Sequence, residues 1–547
     1  MLKGKSFWAI LVVLTLPYVL GSWHQIQEID SIQYAEIARE MVESGKVLPL
    51  RDDYQPYLDK PPMTFWMVAL SYRLFGVNNV SYRIPAIIMA LLSLVATYRI
   101  GTLVYGRGTA RLGTVLLASC IAYTAMLSSP KVDMILIGFL TLAFWAYYER
   151  ERRPWTVHLF YLFVGFGMLT KGPIALVVPL LSVGTEVVFR RNREALRSMR
   201  PLTGLAIIVA VTAPWYIALY REFGFRGPYF ALFEQSFGRI FVRTYRNRTD
   251  PFFFLHTLLW SFQPWAFPFL LGLIIGVLRA VKFKVLLWKE VPLYGWFIWT
   301  FLGISLSSYK LPHYLFWTAP AAALIAGRFL MELSERPSSA SGRTLDFLQV
   351  SASGLVLSAT GVLLLLAFPP RSQLVPALYL ALCAAFGAAF LRSLGAPLGR
   401  WVALPMLACW GFSLFFGLYF YPQLLSYQPG EELGKLVKSL EPEGHLLPAF
   451  RAYCVRSVAF YSGREVRRMD LGELRKLVKT EGGRLLLTTP ESFALLREHF
   501  EVVPVKVLPR FRTSKPTLKF LYHGTRPRTL KYAALVRVSP RAPSACP

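Results

Sequence analysis

Cysteine is scarce and unpaired in pattern: five residues in 547, at 120, 383, 409, 454 and 546, none in a CxxC or CxxH spacing. Neither a zinc knuckle nor a disulfide framework is indicated. There is no Walker A loop, which argues against ATP-driven transport, and no GxSxG or HExxH motif to support hydrolysis. No short-period repeat occurs. Acidic residues are also few, 31 against 60 Lys and Arg, for a net charge of +29. In a soluble protein that excess would suggest nucleic acid. Here much of it lies in short loops between apolar runs, where it sets membrane topology, so no nucleic-acid partner is expected.

What is present is apolar length. Hydrophobic residues make up 54% of the chain, and the mean hydropathy is +0.43. Apolar runs long enough to cross a hydrocarbon core of roughly 30 Å recur from Phe7 to Phe420. The expected fold is a polytopic α-helical membrane protein of about thirteen spans, the first near 7–23 and the last near 400–420. The N-terminal run resembles a signal peptide without a convincing small-x-small cleavage site, and reads as an uncleaved first span. Alternate loops such as "YGRGTAR", "YERERRP" and "RRNREALRSMR" are strongly basic and share a side with Lys3 and Lys5. The positive-inside rule makes that side cytoplasmic, and an odd span count sends the chain outside from about Tyr421. The expected division is a transmembrane unit over 1–424 and an external α/β domain over 425–547.

The first external loop, 24–82, holds two helix patterns. "DSIQYAEIAREMVESG" repeats apolar residues at Ile32, Ala35, Ala38 and Met41, which predicts a helix on the membrane surface ending at Gly45. "KPPMTFWMVALSYRLFG" predicts a short interfacial or re-entrant helix. In the C-terminal part, "GEELGKLVKSL", "DLGELRKLVK" and "PESFALLREHF" read as helices. "VRSVAFYSG", "RLLLTT", "EVVPVKVL" and "TLKFLYHG" read as strands.

Four ionisable residues stand at external ends of separate segments: Asp30, Lys60, Asp133 and Lys171. Asp30-Ser31-Ile32-Gln33 fits a capping box, so Asp30 is a candidate helix cap as well as a catalytic acid. Asp133 in "SSPKVDM" is a helix-start acid favoured by the macrodipole, yet a carboxylate at a span edge needs hydration or a partner. Lys60 in "YLDKPP" and Lys171 in "LTKGP" each precede a proline or Gly-Pro junction. Either they snorkel, or the turn aims them at a lipid phosphate. Arg239, Arg243 and Arg246, spaced four and three apart, share a face if helical; guanidinium forks match phosphate oxygens, and lipid-headgroup anchoring is the alternative. "SSYKLPHY" supplies Tyr309, Lys310, His313 and Tyr314, and with only Asp59 as partner His313 makes a weak metal site.

These segments resemble a family. "DSIQYAEIAREMVESGKVLPL", "YLDKPPMTFWMVALSYRLFG", "YRIPAIIMALLS", "SSPKVDMILIGFLTLA", "GMLTKGPIALVVP" and "SSYKLPHYLFWTAPAAALIAG" follow in an order similar to that of the GT-C-fold glycosyltransferases of the protein O-mannosyltransferase and lipid A aminoarabinose transferase group. The resemblance spans nearly the whole chain. It implies an inner-membrane enzyme that takes a sugar from a polyprenyl (undecaprenyl) phosphate and places it, with inversion, on an acceptor at the periplasmic face. Asp30 matches the family's essential acid and Asp133 a second functional acid, while Lys60 and Lys171 match cations at the lipid-phosphate end. Where the family commonly has Asp-Glu and then Arg before the Tyr, this chain has Asp30-Ser31 and Gln33 before Tyr34.

The expected roles follow from displacement at an anomeric carbon. Lys60, Lys171 and Arg243 are candidates to hold the leaving lipid phosphate. Asp30, with Asp133, is the candidate catalytic acid, serving as base for a hydroxyl acceptor or as orienter for an ionised lipid A phosphate. Tyr34, Tyr57, Tyr309 and His313 are candidate substrate contacts. No metal or cofactor is expected to be required, a divalent cation being the alternative left open. The acceptor is lipid A or another envelope glycoconjugate, with protein hydroxyls as the alternative. A lipid-sugar transporter would place polar groups at span centres, which are largely free of them here.

Overall fold

The computed structural model describes residues 4–53, 55–190, 193–238, 250–283, 288–442 and 446–541. One helix or a run of consecutive helical elements covers each of the apolar windows read from the sequence. Among the described residues, seven helices are long and apolar enough to cross a membrane, or eight if Arg107–Ala118 and Ile121–Ser128, bent by 46°, form one span. Gly4–Val19 and Thr156–Lys171 are apolar but shorter. The protein is a multi-span membrane protein. Small residues let its central helices approach: a Cβ on Gly327 would lie 2.9 Å from the backbone nitrogen of Gly113, so Arg107–Ala118 and Ala319–Ser334 touch through their backbones.

The segment 24–82, expected as the first external loop, folds into the helices Asp30–Ser44 and Met63–Phe75, joined through a two-stranded ribbon, β1 Arg51–Asp52 and β2 Gln55–Pro56. The helix Asp30–Ser44 does not lie on an open membrane surface as its apolar stripe predicts. Residues Ser31, Ile32 and Tyr34–Met41 are all buried, polar ones included. Its polar face can be covered because Arg39 neutralises Glu36 through two bonds of 2.5 and 2.8 Å, both side chains buried. Arg83 fixes this loop from below. It is 1% exposed and donates to the carbonyls of Ser22, His24, Gln25, Asn79 and Ser128 at 2.7–3.3 Å.

The C-terminal part is a five-stranded sheet with β3 Leu446–Ala449, β4 Glu465–Arg468, β5 Arg484–Thr488, β6 Phe500–Arg510 and β7 Lys531–Pro540 in the order β4-β3-β5-β7-β6. β3 runs parallel to β4 and β5, while β7 is antiparallel to β5 and β6. Successive residues face opposite sides. Leu485, Leu487 and Leu535 pack with Leu433, Val437 and Val458, and Leu486, Val536 and Val538 with Leu474, Val478 and Leu496. Helices thus cover both faces. Two expected strands are helical instead, Val455–Ser462 and Leu518–Leu521. In the first, Val455, Val458 and Ala459 recur at helical spacing and are buried together.

The helix Val455–Ser462 packs on Asp30–Ser44. Arg456 bonds Asp52 at 2.8 Å, Ser457 Oγ donates to Glu28 at 2.5 Å, and Tyr461 Oη donates to Asn79 at 2.7 Å. The sheet domain is thereby tied to the loop that carries Asp30.

Candidate functional site

Lys171 ends the helix Thr156–Lys171, and Gly172, at φ +81°, turns the chain before Pro173 starts the next. Only glycine takes that backbone conformation without strain, so the turn aims the lysine. Asp133 stands in the first turn of Val132–Glu149, which runs away from the same end. Lys171 Nζ lies 2.5 Å from Asp133 Oδ1, and Trp317 Nε1 donates to the same oxygen at 2.8 Å. His313 Nε2 is 3.6 Å from Oδ2. The partner of His313 is therefore Asp133 and not Asp59. Tyr314 and Trp317 stack above Lys171, their ring centres 4.4 and 4.7 Å from Nζ.

Asp30 is half-exposed and bonds Lys131 at 2.9 Å. The expected capping box is absent. Ile29 occupies the cap position without a side-chain bond, and Gln33 Nε2 donates instead to Asp52 at 2.5 Å. Burial works against charge on Asp30, but Lys131, His313 and Lys60 outweigh it and hold the carboxyl below its ordinary range. Ser31 Oγ bonds Ser129 Oγ and the Pro130 carbonyl, both at 2.9 Å, and Tyr82 donates to that carbonyl at 2.8 Å. The segment 129–133 is thus held from both sides, with Lys131 on Asp30 and Asp133 on Lys171.

Lys60 bonds Asp59 Oδ2 at 2.6 Å, and Gln235 donates to the other oxygen of Asp59. Lys60 and Lys171 line one cavity of about 60 Å³ with Asp59, Gln235 and Trp215. Lys171 and Gln235 also line an adjoining groove of about 200 Å³, whose walls include Val177, Leu181, Trp299 and Tyr309. The structure therefore brings Asp30, Lys60, Asp133, Lys171, Tyr309 and His313 to one end of the helical bundle. Tyr34 and Tyr57 stand close by, within electrostatic reach of Asp30 and Asp59 and in one cluster with Trp215; both meet Phe65 edge-on at 5.6 and 5.9 Å, and neither lines these two cavities. Arg239, Arg243 and Arg246 lie outside the described residues.

Two residues of the site are not among those singled out from sequence: Lys131 and Trp317. Each sits inside a quoted motif, but its partner is 101 and 184 residues away. Among the described residues, no group of three or more His, Cys, Asp or Glu side chains is arranged to hold a metal.

The family model for dolichyl-phosphate-mannose-protein mannosyltransferases matches residues 59–217. An uncharacterised protein of Aquifex aeolicus is 25% identical over 474 residues, 85% of this chain and 88% of that one. The undecaprenyl phosphate-alpha-4-amino-4-deoxy-L-arabinose arabinosyl transferase of Erwinia tasmaniensis is 30% identical over 314 residues. That match spans about half of each chain, 54% of both. The crystal structure of ArnT from Cupriavidus metallidurans bound to undecaprenyl phosphate superposes with a TM-score of 0.74 at 20% identity, covering 99% of this chain and 98% of that one. The oligosaccharyltransferase of Archaeoglobus fulgidus superposes at 0.55 with 12% identity, over 90% of this chain and 70% of that one.

Proposed function

We propose that this GT-C-fold membrane protein, similar to the polyprenyl-phosphate-sugar glycosyltransferases, moves a sugar from a polyprenyl phosphate to an acceptor at the external face, with inversion. The observation that carries this reading is the convergence of Lys60 and Lys171 on one small cavity beside an apolar groove. The cavity suits a phosphate and the groove the first isoprene units of its lipid.

The acceptor oxygen attacks the anomeric carbon as the bond from that carbon to the phosphate oxygen breaks, and the electron pair leaves with the lipid phosphate. Lys60 and Lys171 stabilise the added charge, with Arg243 proposed as a third cation. Fixed cations in a water-poor site act most strongly on charge that develops during reaction. For a hydroxyl acceptor Asp30 takes the proton. For a phosphate acceptor, already ionised, it orients the substrate. Asp133 is buried with Oδ1 engaged by two donors, so we assign it the positioning of Lys171. Tyr309 and His313 remain candidate contacts to donor or sugar, and no resident metal enters these steps.

The proposed acceptor is lipid A or another envelope glycoconjugate, the proposed location a bacterial inner membrane with the site facing the periplasm. Residues 1–424 would form the transferase unit and 425–547 an external domain over it. The family match at 59–217 favours a second reading, transfer to protein hydroxyls. The test is transfer from undecaprenyl-phosphate sugars in membranes containing the protein, with lipid and protein products read by mass spectrometry. Lys60→Ala is expected to raise the donor KM. Unchanged donor dependence would remove Lys60 from the phosphate site.

A further inference from the structure

A separate cavity of about 280 Å³ lies where the sheet domain meets the first external loop. Its walls are Ile29 and Ile32 of the loop, Glu28 and Asp53, and the sheet-domain residues Tyr453, Arg456, Arg468 and Arg510. Ile29 and Ile32 flank Asp30 in the chain, so the cavity lies beside the start of the helix that carries this residue.

The lining is mixed in charge. Arg456 is committed to Asp52 at 2.8 Å. Arg510 stacks on Tyr453 with its guanidinium carbon 4.2 Å from the ring centre, lies 3.9 Å from Glu28, and keeps a buried Nε without a hydrogen-bond partner. Arg468 donates to the Ala452 carbonyl at 3.2 Å, and no ion pair joins it to a carboxylate among the described residues. Arg468 is thus available to an oxyanion, and Arg510, although paired with Glu28, keeps a donor for one, in forks that match phosphate. Glu28 and Asp53 would repel a simple polyanion, but each accepts hydrogen bonds from hydroxyl or amino groups. A phosphorylated sugar offers both chemistries. The volume, just below that of ligand sites of roughly 300–1,000 Å³, suits one sugar ring with its phosphate rather than a complete headgroup.

Resting on the proposed transferase reading, we infer that this cavity binds a phosphorylated sugar unit of the acceptor, with Arg468 and Arg510 on the phosphate and Glu28 and Asp53 on the ring substituents. The sheet domain then supplies acceptor specificity, while the membrane unit holds the donor.

The test uses the full-length protein in nanodiscs. In a first arm, glucosamine 1-phosphate binding is measured with undecaprenyl phosphate saturating, so that the donor cavity is filled. Binding is expected for the unaltered protein, and Arg468→Gln is expected to weaken it at least about tenfold, the scale of one lost hydrogen bond to a charged group. Arg510→Gln is expected to act likewise, and Arg467→Gln, on the opposite face of β4, to leave binding unchanged. Binding untouched by both cavity substitutions, or abolished by undecaprenyl phosphate, would overturn the site. This arm stands whether or not transfer is observed.

In a second arm, diphosphorylated lipid A is embedded in the nanodiscs as acceptor. Arg468→Gln is expected to raise the acceptor KM by a similar factor, with kcat and the donor KM unchanged. Dependence on Arg468 for the soluble sugar phosphate alone would overturn the acceptor assignment. Absence of transfer by the unaltered protein would count against the transferase reading and the acceptor role together, leaving sugar-phosphate binding to the first arm.

Discussion

Lys171 and Asp133 stand 2.5 Å apart across two helix ends, Asp133 1% exposed and Lys171 13%. A buried pair of this kind is costly to break from one side, because the remaining charge has lost its counterpart; such losses run to about 3–5 kcal/mol.

Lys171→Ala is therefore expected to lower the thermal midpoint and to abolish donor use. Adding Asp133→Asn removes the orphaned charge and should recover much of the midpoint without recovering donor affinity. Thermal unfolding in detergent and donor titration on both variants check this. Recovery of donor affinity in the double variant would show that Lys171 serves only as the counterion of Asp133.

Asp30 carries a pH prediction. Its carboxyl is held below the ordinary carboxylate value of about 3.9. A depressed folded value means that the stabilisation from the charged form is complete above the ordinary value and is lost as pH falls through the folded one. With a hydroxyl acceptor, the acid limb of kcat/KM assigned to Asp30 should fall below pH about 4, and Lys131→Ala should move it upward. A pH–rate series on both proteins decides it, and a limb unmoved by Lys131→Ala would detach that limb from Asp30. Asp30→Asn should cost about 10²–10⁴ in rate if the residue is the base.

Arg83→Ala should destabilise the protein more than the loss of any single surface charge. It strips five carbonyls of this donor at once, the bonds to Ser22 and Ser128 being fully buried, and each unsatisfied buried group costs about 1–3 kcal/mol. Limited proteolysis within 24–82 should rise sharply. Protection equal to that of the unaltered protein would mean that water replaces the guanidinium.

Chelation should leave transfer unchanged if, as proposed, Lys60, Lys171 and Arg243 alone hold the leaving phosphate. Dialysis against EDTA followed by the transfer assay checks this, and activity restored only by added divalent cation would assign one to the reaction.

The helices of the membrane unit were legible because burial in lipid demands long apolar runs, and those runs are local in the chain. The placement of Lys60 and Lys171 at helix junctions was legible from the prolines and glycine that follow them. The three strands Leu446–Ala449, Glu465–Arg468 and Lys531–Pro540 were not singled out, because the first two are four residues long and the last mixes charge with apolar residues. Val455–Ser462 read as a strand from its valines, while its tertiary partners select the helical period. The cover over Asp30–Ser44 was hidden for another reason. Its polar face looks solvated until Arg39 is seen against Glu36, and the covering helix lies about four hundred residues downstream, as the bond from Arg456 to Asp52 illustrates.

The bonds from Arg456 to Asp52, Ser457 to Glu28 and Tyr461 to Asn79 also constrain anyone who would exchange parts between such proteins. A foreign sheet domain grafted after residue 425 would meet an unmatched Glu28, Asp52 and Asn79, and would leave the helix that begins at Asp30 without its outer wall. Chimaeras that exchange the sheet domain therefore have to carry the segment 24–82 along with it, so the unit of exchange is discontinuous in the gene although it is one surface in the folded molecule.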